Sequence, residues 1–338
     1  MDTQEITELL SLPELLIHLN LIENQLFDVV RSENRFLGEP SLRVVQGGGK
    51  RIRPILTIAS ALIAKQAGNS NLDDLVIAGA AAVELAHTAL LVHDDIIDNA
   101  AERRGTPTVN SKEGIHHAVL VGDYLLARSG EQAARINKEA ADMLAAAIVQ
   151  ACDGQTREIV DSYSVQRTVE SCLLAMYGKT AALIRASCCI GALCADATAD
   201  EVDALAGFGE SFGLAFQIID DALDLVSTAE SLGKPVGNDL HQGTYTLPVL
   251  FLLQEGGEAA QRMCQLLRQG IKPAEVAEAV DIIRQSGTVS RSLDLARGYN
   301  RKATEALAVF GENLVVEGMK SLPSHYLDWA TQRMVGSY

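Results

Sequence analysis

Two segments of the sequence end in three carboxylates with the spacing Asp-Asp-x-x-Asp, each after an apolar run. These carboxylates are Asp94, Asp95 and Asp98 in the first segment and Asp220, Asp221 and Asp224 in the second. Steps of three and four residues fall on one helical face, so each cluster continues a stripe that would otherwise face the core. Buried carboxylates are costly unless a metal ion or an opposite charge balances them. Because Mg²⁺ prefers oxygen ligands, including phosphate oxygens, the pattern predicts a clamp made of magnesium and diphosphate.

The first cluster shares its stripe with two further ionisable residues. Steps of three and four connect the positions Glu84, His87, Leu91, Asp94 and Asp98. The other carboxylate of the cluster falls about a quarter-turn to the side at roughly 100° per residue. One Asp-rich helix end could equally be a solvated cap. Two such ends, each continuing an apolar stripe, favour the metal site over that alternative.

A glycine-rich loop gathers cations in an otherwise acidic chain. The segment Gly47-Gly-Gly-Lys-Arg-Ile-Arg53 carries Lys50 and Arg51 in addition to its final arginine. Glycines allow the backbone to approach a ligand closely, and arginine binds phosphate oxygens in a bidentate manner. Arg103 and Arg104, just after the first Asp cluster, suit the same task. These features predict an anion-binding site, with solubilising surface charge as the alternative.

The composition is typical of a large helical protein. Hydrophobic residues make up 48% of the 338 residues and aromatic residues only 4%. Alanine and leucine favour helices, and the sequence shows no alternating β pattern and no linker rich in proline and serine. We therefore predict an all-α, single-domain protein over residues 1–338. The net charge of −16 argues against a nucleic-acid partner.

Sequence features also predict a location. The start, Met1-Asp-Thr-Gln-Glu5, is acidic and polar, unlike a signal peptide. The apolar run from Val76 to Val92 is interrupted by Glu84 and His87, which favours a buried helix over a membrane span. The six cysteines lack the spacing of zinc ligands and suit reduced core residues. We expect a cytoplasmic protein without a membrane span.

Together, these motifs resemble those of the trans-isoprenyl (polyprenyl) diphosphate synthases. The match runs from the glycine-rich loop to Pro248 and includes both Asp motifs, Arg103-Arg-Gly105, Gly122-Asp-Tyr-Leu-Leu-Ala127, Lys179-Thr180, Gly233-Lys234, Asp239 and Thr246-Leu-Pro248. The resemblance implies a helical bundle around a deep central cavity, with the Asp motifs facing each other across its mouth, and usually a homodimer. It implies successive head-to-tail, trans additions of isopentenyl diphosphate to an allylic diphosphate. It also implies Mg²⁺, about three ions per site, and a lipid product that passes to a membrane.

The resemblance assigns roles to individual positions. The isopentenyl diphosphate ligands would be Lys50, Arg53, His87 and Arg104. The allylic diphosphate ligands would be Arg103, Lys179 and Lys234. The principal Mg²⁺ ligands would be Asp94, Asp98 and Asp220, supported through water by Asp95, Asp221 and Asp224. The dipoles of Thr180 and Gln217 would face the developing allylic cation.

Two positions set expectations for binding and product length. Thr244 stands where the family usually has lysine, so we expect weaker binding of the allylic diphosphate. In the family, the residue five before the first Asp helps to set where chain growth stops. That residue is Ala89, with Leu90 beside it and Ala86 one turn earlier. The small side chains predict a medium- or long-chain product.

Three alternatives stay open from the sequence. A short-chain farnesyl or geranylgeranyl diphosphate synthase shares the same motifs. A non-catalytic partner subunit would be expected to have eroded Asp motifs, whereas both are intact here. A class I terpene cyclase would not need the glycine-rich acceptor loop, and the aromatic content offers few rings to line its pocket. The sequence does not identify the preferred allylic starter or decide whether a second subunit is required.

Overall fold

The computed structural model describes residues 3–10, 12, 15–64, 74–226, 236–268 and 270–335, and nearly all of these are helical. The first half contains α1 (Thr3–Leu9), α2 (Leu15–Val29), α3 (Arg35–Gln46), α4 (Ile52–Ala64), α5 (Asp74–Ile97), α6 (Val109–Glu113), α7 (Ile115–Ala134) and α8 (Lys138–Val160). The second half contains α9 (Val169–Met176), α10 (Ala182–Cys194), α11 (Ala199–Val226), α12 (Asn238–His241), α13 (Leu247–Glu255), α14 (Gly257–Leu267), α15 (Val276–Ser286), α16 (Thr288–Ala306) and α17 (Leu314–Val335). The predicted all-α class is confirmed.

Short irregular elements interrupt this helical pattern. A π-helical turn, Tyr177–Ala181, separates α9 from α10, and 3₁₀ turns occur at Pro273–Glu275 and Leu307–Val309. Strands β1 (Glu102–Arg103) and β2 (Thr106–Pro107) form an antiparallel hairpin. Strands of two residues are too short to produce a visible alternation, which explains why the sequence pattern did not reveal them.

Polar side chains cap the N-termini of several helices. The side-chain oxygen of Asn34 accepts a hydrogen bond from the Phe36 amide at the start of α3. Thr108 and Thr168 cap α6 and α9 in the same way. Such caps satisfy amide groups that have no partner within the helix. The caps thereby fix the first residue of α6, which follows the arginine hairpin, and of α9, which precedes the π turn.

Helix α5 is the element that carries the first Asp cluster. Most of its residues are buried, and small residues allow neighbouring helices to come close. A Cβ on Gly79 would lie 2.8 Å from Ile190, and one on Gly122 would lie 2.1 Å from the His93 ring. Glycine at position 122 therefore lets α7 pack directly against the end of α5. This packing holds the first Asp cluster on a rigid helix.

The chain packs as two compact units. The first comprises Met1–Ile148, Leu183–Ala206 and Val309–Met319, and the second comprises Val149–Ala182, Gly207–Ala308 and Lys320–Tyr338. The first unit contains the glycine-rich loop and the first Asp cluster. The second unit contains the π turn and the second Asp cluster. The predictions of a single domain and of a deep central cavity stay predictions.

Three helical stretches are long and apolar enough to cross a membrane by length and composition. They are Asp74–Ile97, Val169–Cys194 and Ala199–Val226, with mean hydropathies of 2.0, 1.3 and 1.2. Within the protein, 72%, 72% and 61% of these windows are buried. Length and composition alone thus do not distinguish these three helices from membrane-spanning helices. The prediction of no membrane span rests on the charges that interrupt them.

Candidate active site

The first unit contains a pocket of about 570 Å³, including its open mouth. Its walls comprise Arg43, Val44, Gly47, Gly48, Arg51, Glu84, His87, Thr88, Leu91, Asp95, Arg103, Arg104, Thr106, Pro107, Thr108 and Val109. Helix α5 contributes the stripe that the sequence predicted, from Glu84 through His87 to Leu91. The carboxylate that completes this wall is Asp95, not Asp94. Eleven residues from Glu84 bring Asp95 within about 20° of the same direction on an ideal helix.

The glycine-rich loop brings backbone and arginine together at this pocket. Gly48 has φ 68°, a left-handed conformation that favours glycine. A Cβ on Gly49 would lie only 2.8 Å from Nη1 of Arg104. A side chain at position 49 would therefore displace the Arg104 guanidinium from this place. This contact connects the loop before α4 with the hairpin after α5.

The hairpin holds its two arginines in different ways. Arg103 pairs with Thr106 across the strands, and Arg104 and Gly105 form the turn with φ 54° and 72°. Positive φ at both central positions is the geometry of a tight two-residue hairpin. Such a conformation is costly for arginine, and backbone strain of this kind concentrates at functional sites.

Arg51 is a buried structural cation, not an open phosphate ligand. Its Nη1 donates to Glu84 Oε1 at 2.6 Å, and its Nε donates to Glu23 Oε1 at 2.6 Å. A further hydrogen bond joins Nη2 to the carbonyl oxygen of Val45 at 3.0 Å. The arginine also has a positive φ of 49°. These contacts fix the backbone of the loop between Lys50 and Arg53.

His87 lines the pocket, and the charge of Arg53 lies close to it. Burial lowers the pKa of Arg53 to about 10, with Arg104 contributing, while Glu84 opposes the shift. The Nε of Arg53 is buried without a hydrogen-bond partner. Burial, and after it the positive charge of Arg53 and Arg104, lowers the pKa of His87 well below its usual value. A bound anion would stabilise the charged forms of both side chains.

The first Asp cluster is divided between two environments. Asp95 is buried, and its Oδ1 accepts a hydrogen bond from Arg103 Nε at 2.7 Å. Burial raises the pKa of Asp95, although Arg103 opposes this shift. Asp94 is half-buried and Asp98 is exposed at the end of α5. The two carboxylates that the family resemblance assigns as principal metal ligands are therefore the more accessible ones.

In the second unit, the π turn aligns a chain of polar groups. Thr180 Oγ1 donates to Gln217 Oε1 at 2.6 Å, and Gln217 Nε2 donates to Asp221 Oδ1 at 2.7 Å. Because the Thr180 hydroxyl donates its proton to Gln217, its oxygen lone pairs point away from the glutamine. Lys179 forms an ion pair with Glu158 on α8. π-helical turns within α-helices often occur at functional sites.

The second Asp cluster crowds negative charge into a small volume. Burial, and after it the nearby charge of Asp239, raises the pKa of Asp221 well above its usual value. Asp224 is 2% exposed, and its Oδ2 accepts a hydrogen bond from the Asp239 amide at 3.4 Å. Asp239 therefore lies beside this cluster. Asp220 accepts a hydrogen bond from the hydroxyl of Tyr326.

These donors fit a hard divalent cation in chemical type. Carboxylates that repel one another, one of them with a raised pKa, would be stabilised by Mg²⁺. Within the described part of the chain, however, no three His, Cys, Asp or Glu side chains converge as a ready-made metal site. A complete coordination shell therefore requires oxygens from the substrate and from water, as Mg²⁺ commonly does.

The structure leaves some predicted positions without a functional test. Lys234 lies outside the described residues. Ala86 and Ala89 are fully buried, whereas Leu90 is partly exposed. Of these three chain-length positions, only Leu90 therefore borders open space. Thr244 is half-buried, and its amide donates to the Asp239 carbonyl at 2.8 Å.

Sequence reasoning missed several partners of the site residues. Glu23, Glu158 and Tyr326 contact Arg51, Lys179 and Asp220 respectively, across 28, 21 and 106 residues of sequence. No local spacing links residues so far apart. One local signal could have helped: Phe208, Phe212 and Phe216 precede Asp220 in steps of four, which places aromatic side chains on the same helical face as this carboxylate.

A cationic pocket and two carboxylate clusters in an all-α fold define a helical diphosphate-binding protein. The chain belongs to the polyprenyl synthetase family, whose model matches residues 34–283. It is 41% identical over 287 residues to the heptaprenyl diphosphate synthase component 2 of Geobacillus stearothermophilus, covering 85% of this chain and 88% of the relative. It is 34% identical over 311 residues to the nonaprenyl diphosphate synthase of Mycobacterium tuberculosis, covering 91% and 90%.

A solved structure agrees with this assignment. The polyprenyl synthase from Caulobacter crescentus CB15, complexed with calcium and isoprenyl diphosphate, superposes with a TM-score of 0.87 at 32% identity. The match covers 95% of this chain and 97% of that one. Fold, sequence and family model therefore agree over most of the chain.

Proposed function

We propose that the protein condenses an allylic diphosphate with isopentenyl diphosphate in successive head-to-tail, trans additions, giving a medium- or long-chain polyprenyl diphosphate. One observation carries this proposal: a pocket lined by His87, Arg103 and Arg104, with the charge of Arg53 close to His87, in a chain of net charge −16. Such a pocket selects an anion that local cations attract against the overall field. The names of the heptaprenyl and nonaprenyl relatives support the long-chain form of the proposal.

In this reaction the first unit binds the acceptor. Arg53 and Arg104 bind the diphosphate of isopentenyl diphosphate, and Lys50 adds a third cation from the exposed end of the loop. His87, neutral in the free pocket, donates a hydrogen bond or takes up a proton once the anion has bound. The side-chain arrangement thereby orients the double bond of the acceptor for attack.

The two Asp clusters serve the donor. Asp94 and Asp98 in the first unit, and Asp220 in the second, would be ligands of Mg²⁺. The bound ion would supply Lewis-acid stabilisation to the leaving diphosphate. Lys179 and Arg103 exchange their carboxylate partners, Glu158 and Asp95, for diphosphate oxygens.

As the C–O bond ionises, the allylic carbon becomes a cation and is attacked by the acceptor double bond. The oxygens of Thr180 and Gln217 present neutral dipoles to that cation without acting as nucleophiles. The new carbocation then loses a proton, for which the departing diphosphate is the base. This assignment explains why the reaction needs no separate histidine–carboxylate pair.

Product analysis tests the proposal. The protein is incubated with farnesyl diphosphate and labelled isopentenyl diphosphate, with and without Mg²⁺. We expect longer polyprenyl diphosphates only with Mg²⁺, and a loss of at least about 10²–10³ in turnover for Asp94→Ala and for Asp220→Ala. Near-normal turnover in either variant at saturating Mg²⁺ would refute the clamp. Cyclic hydrocarbons would indicate a cyclase.

The assembly state is a separate question. The name of the Geobacillus relative contains the words "component 2", which favours a test for a second subunit beside the predicted homodimer. Turnover by the purified chain alone supports the homodimer, and activity only after adding a second protein supports a two-component enzyme. The cytoplasmic location and the number of Mg²⁺ ions stay predictions.

A further inference from the structure

Helix α17 reaches the second Asp cluster through one tyrosine. The Tyr326 hydroxyl donates a hydrogen bond to Oδ1 of Asp220 across 106 residues of sequence. Tyr326 is 3% exposed, whereas Asp220 is half-buried. The contact therefore joins a buried, immobile donor to a carboxylate that a ligand can still reach.

Aromatic stacking fixes the ring that carries this hydroxyl. Phe216, one turn before Asp220, stacks on Tyr326 with ring centroids 4.6 Å apart and an interplanar angle of 21°. Trp329 also stacks on Tyr326, at 5.5 Å and 22°. Moving the hydroxyl away from Asp220 would disturb both stacked contacts. Aromatic residues are only 4% of this chain, so their concentration at one carboxylate is notable.

A buried tyrosine always needs an acceptor, and that requirement alone could explain a hydrogen bond. The chain offers a direct comparison. Tyr245 is also buried, and its hydroxyl donates to the backbone carbonyl of Leu267 at 3.2 Å. Tyr326 instead donates to a carboxylate in a crowded acidic cluster. A hydrogen bond of this kind holds a ligating group in the direction in which it must point.

We propose that Tyr326 is a positioning residue that orients Asp220 to receive a divalent cation. The hydrogen bond to Oδ1 fixes the direction in which the carboxylate points. Because the carboxylate is already ordered, less freedom is lost when the ion binds. This inference rests on the proposed function, which assigns Asp220 as a metal ligand. It makes the last helix of the chain a part of the metal site.

The same geometry provides an optical reporter. Trp329 is the only tryptophan of the chain, and it contacts the tyrosine that holds Asp220. Binding of a cation at Asp220 should therefore change the tryptophan emission through Tyr326. This signal does not depend on turnover.

The experiment measures cation affinity in the full-length protein. Binding of Mn²⁺ is followed by the loss of its free electron paramagnetic resonance signal, and Mg²⁺ is titrated against Trp329 fluorescence. Tyr326→Phe keeps the ring and removes the hydroxyl, and Tyr245→Phe is the matched control. We expect a loss of about tenfold or more in affinity for Tyr326→Phe, the range typical of residues that orient metal ligands, and little change for Tyr245→Phe. The Mg²⁺ concentration that half-activates the enzyme should rise by the same factor.

A double variant shows whether the effect passes through Asp220. In an Asp220→Asn background, Tyr326→Phe should cause no further loss of affinity. An equal loss in both tyrosine variants, unchanged affinity in Tyr326→Phe, or a further loss in the double variant overturns the inference. In each of these results the wild-type protein still binds the cation, so the proposed function survives. A wild-type protein that binds no cation and needs none would instead overturn both.

Discussion

Replacing Glu84 by glutamine should lower stability and strengthen anion binding at the same time. Glu84 Oε1 lies 2.6 Å from Arg51 Nη1, and the two side chains are only 6% and 7% exposed. The same carboxylate opposes the lowered pKa of Arg53. It therefore both fixes the loop and offsets the positive charge of the pocket. Glu84→Gln keeps the shape and an acceptor oxygen but removes the charge.

The loss of stability and the gain in anion affinity can be estimated separately. Breaking a buried ion pair costs about 3–5 kcal/mol. Arg51 keeps Glu23 as a partner, so we expect about 2–3 kcal/mol. An unfolding entropy of about 2.1 cal/mol/K per residue converts this to a decrease of about 3–4 °C in Tm. Removing a negative charge about 8–10 Å from a bound anion gains about 1.5–2 kcal/mol at an effective dielectric constant of 20. That gain corresponds to about 10- to 30-fold tighter binding.

Calorimetry measures both quantities, with inorganic pyrophosphate as the anion. The control is Glu278→Gln, whose carboxylate lies 2.6 Å from Arg262 but in a pair about half exposed. An exposed pair contributes about 0–1 kcal/mol, so the control should barely change the Tm or the affinity for pyrophosphate. If Glu84→Gln is destabilised but binds pyrophosphate more weakly, the loop geometry matters more than the charge and the reasoning is wrong. Unchanged stability would contradict the structural role.

Three further predictions concern single positions in or beside the site. Thr244→Lys should lower the KM for the allylic substrate about tenfold or more, since a charge-assisted hydrogen bond contributes about 1.5–3 kcal/mol; an unchanged KM would mean that position 244 does not point into this site. Because burial and Arg53 lower the pKa of His87, an anion that raises this pKa again should cause proton uptake at pH values between the pKa of the free protein and that of the complex. Titrations in buffers of different ionisation enthalpy measure that uptake, and His87→Gln should abolish it. Ala89→Tyr should shift products towards farnesyl and geranylgeranyl lengths while the first condensation continues; an unchanged product distribution would place the cavity floor elsewhere.

Spacing predicted the parts of the site that lie on one helix. Glu84, His87 and Leu91 do line one wall, because three- and four-residue steps fix direction on a helix whatever surrounds it. The same rule misjudged Asp95, because steps of three and four residues only approximate a full turn. At 100° per residue, Asp94 lies about 80° from the direction of Glu84 and Asp95 only about 20° from it. The all-α class was equally accessible from composition and periodicity. These are local properties of the chain.

Tertiary contacts between distant residues could not be predicted in this way. Arg51 and Arg53 belong to the same short motif, and charge alone predicts that both bind the anion. The structure separates them, because a positive φ turns Arg51 towards Glu23 and Glu84. Nothing in the motif indicates that backbone rotation. Lys179 shows the same limit, since its partner Glu158 is on another helix.

The pairing of cations with carboxylates has a functional consequence of its own. Arg103 and Lys179 are assigned to the donor diphosphate, yet each is held by a carboxylate, Asp95 and Glu158, in the structure. A lysine or arginine that is already paired with a carboxylate pays a smaller desolvation cost on binding diphosphate than a fully hydrated one, because most of its desolvation has already occurred. The ion pairs therefore keep the cations oriented while limiting how tightly the diphosphate is bound. An enzyme that must release diphosphate after every addition benefits from that balance.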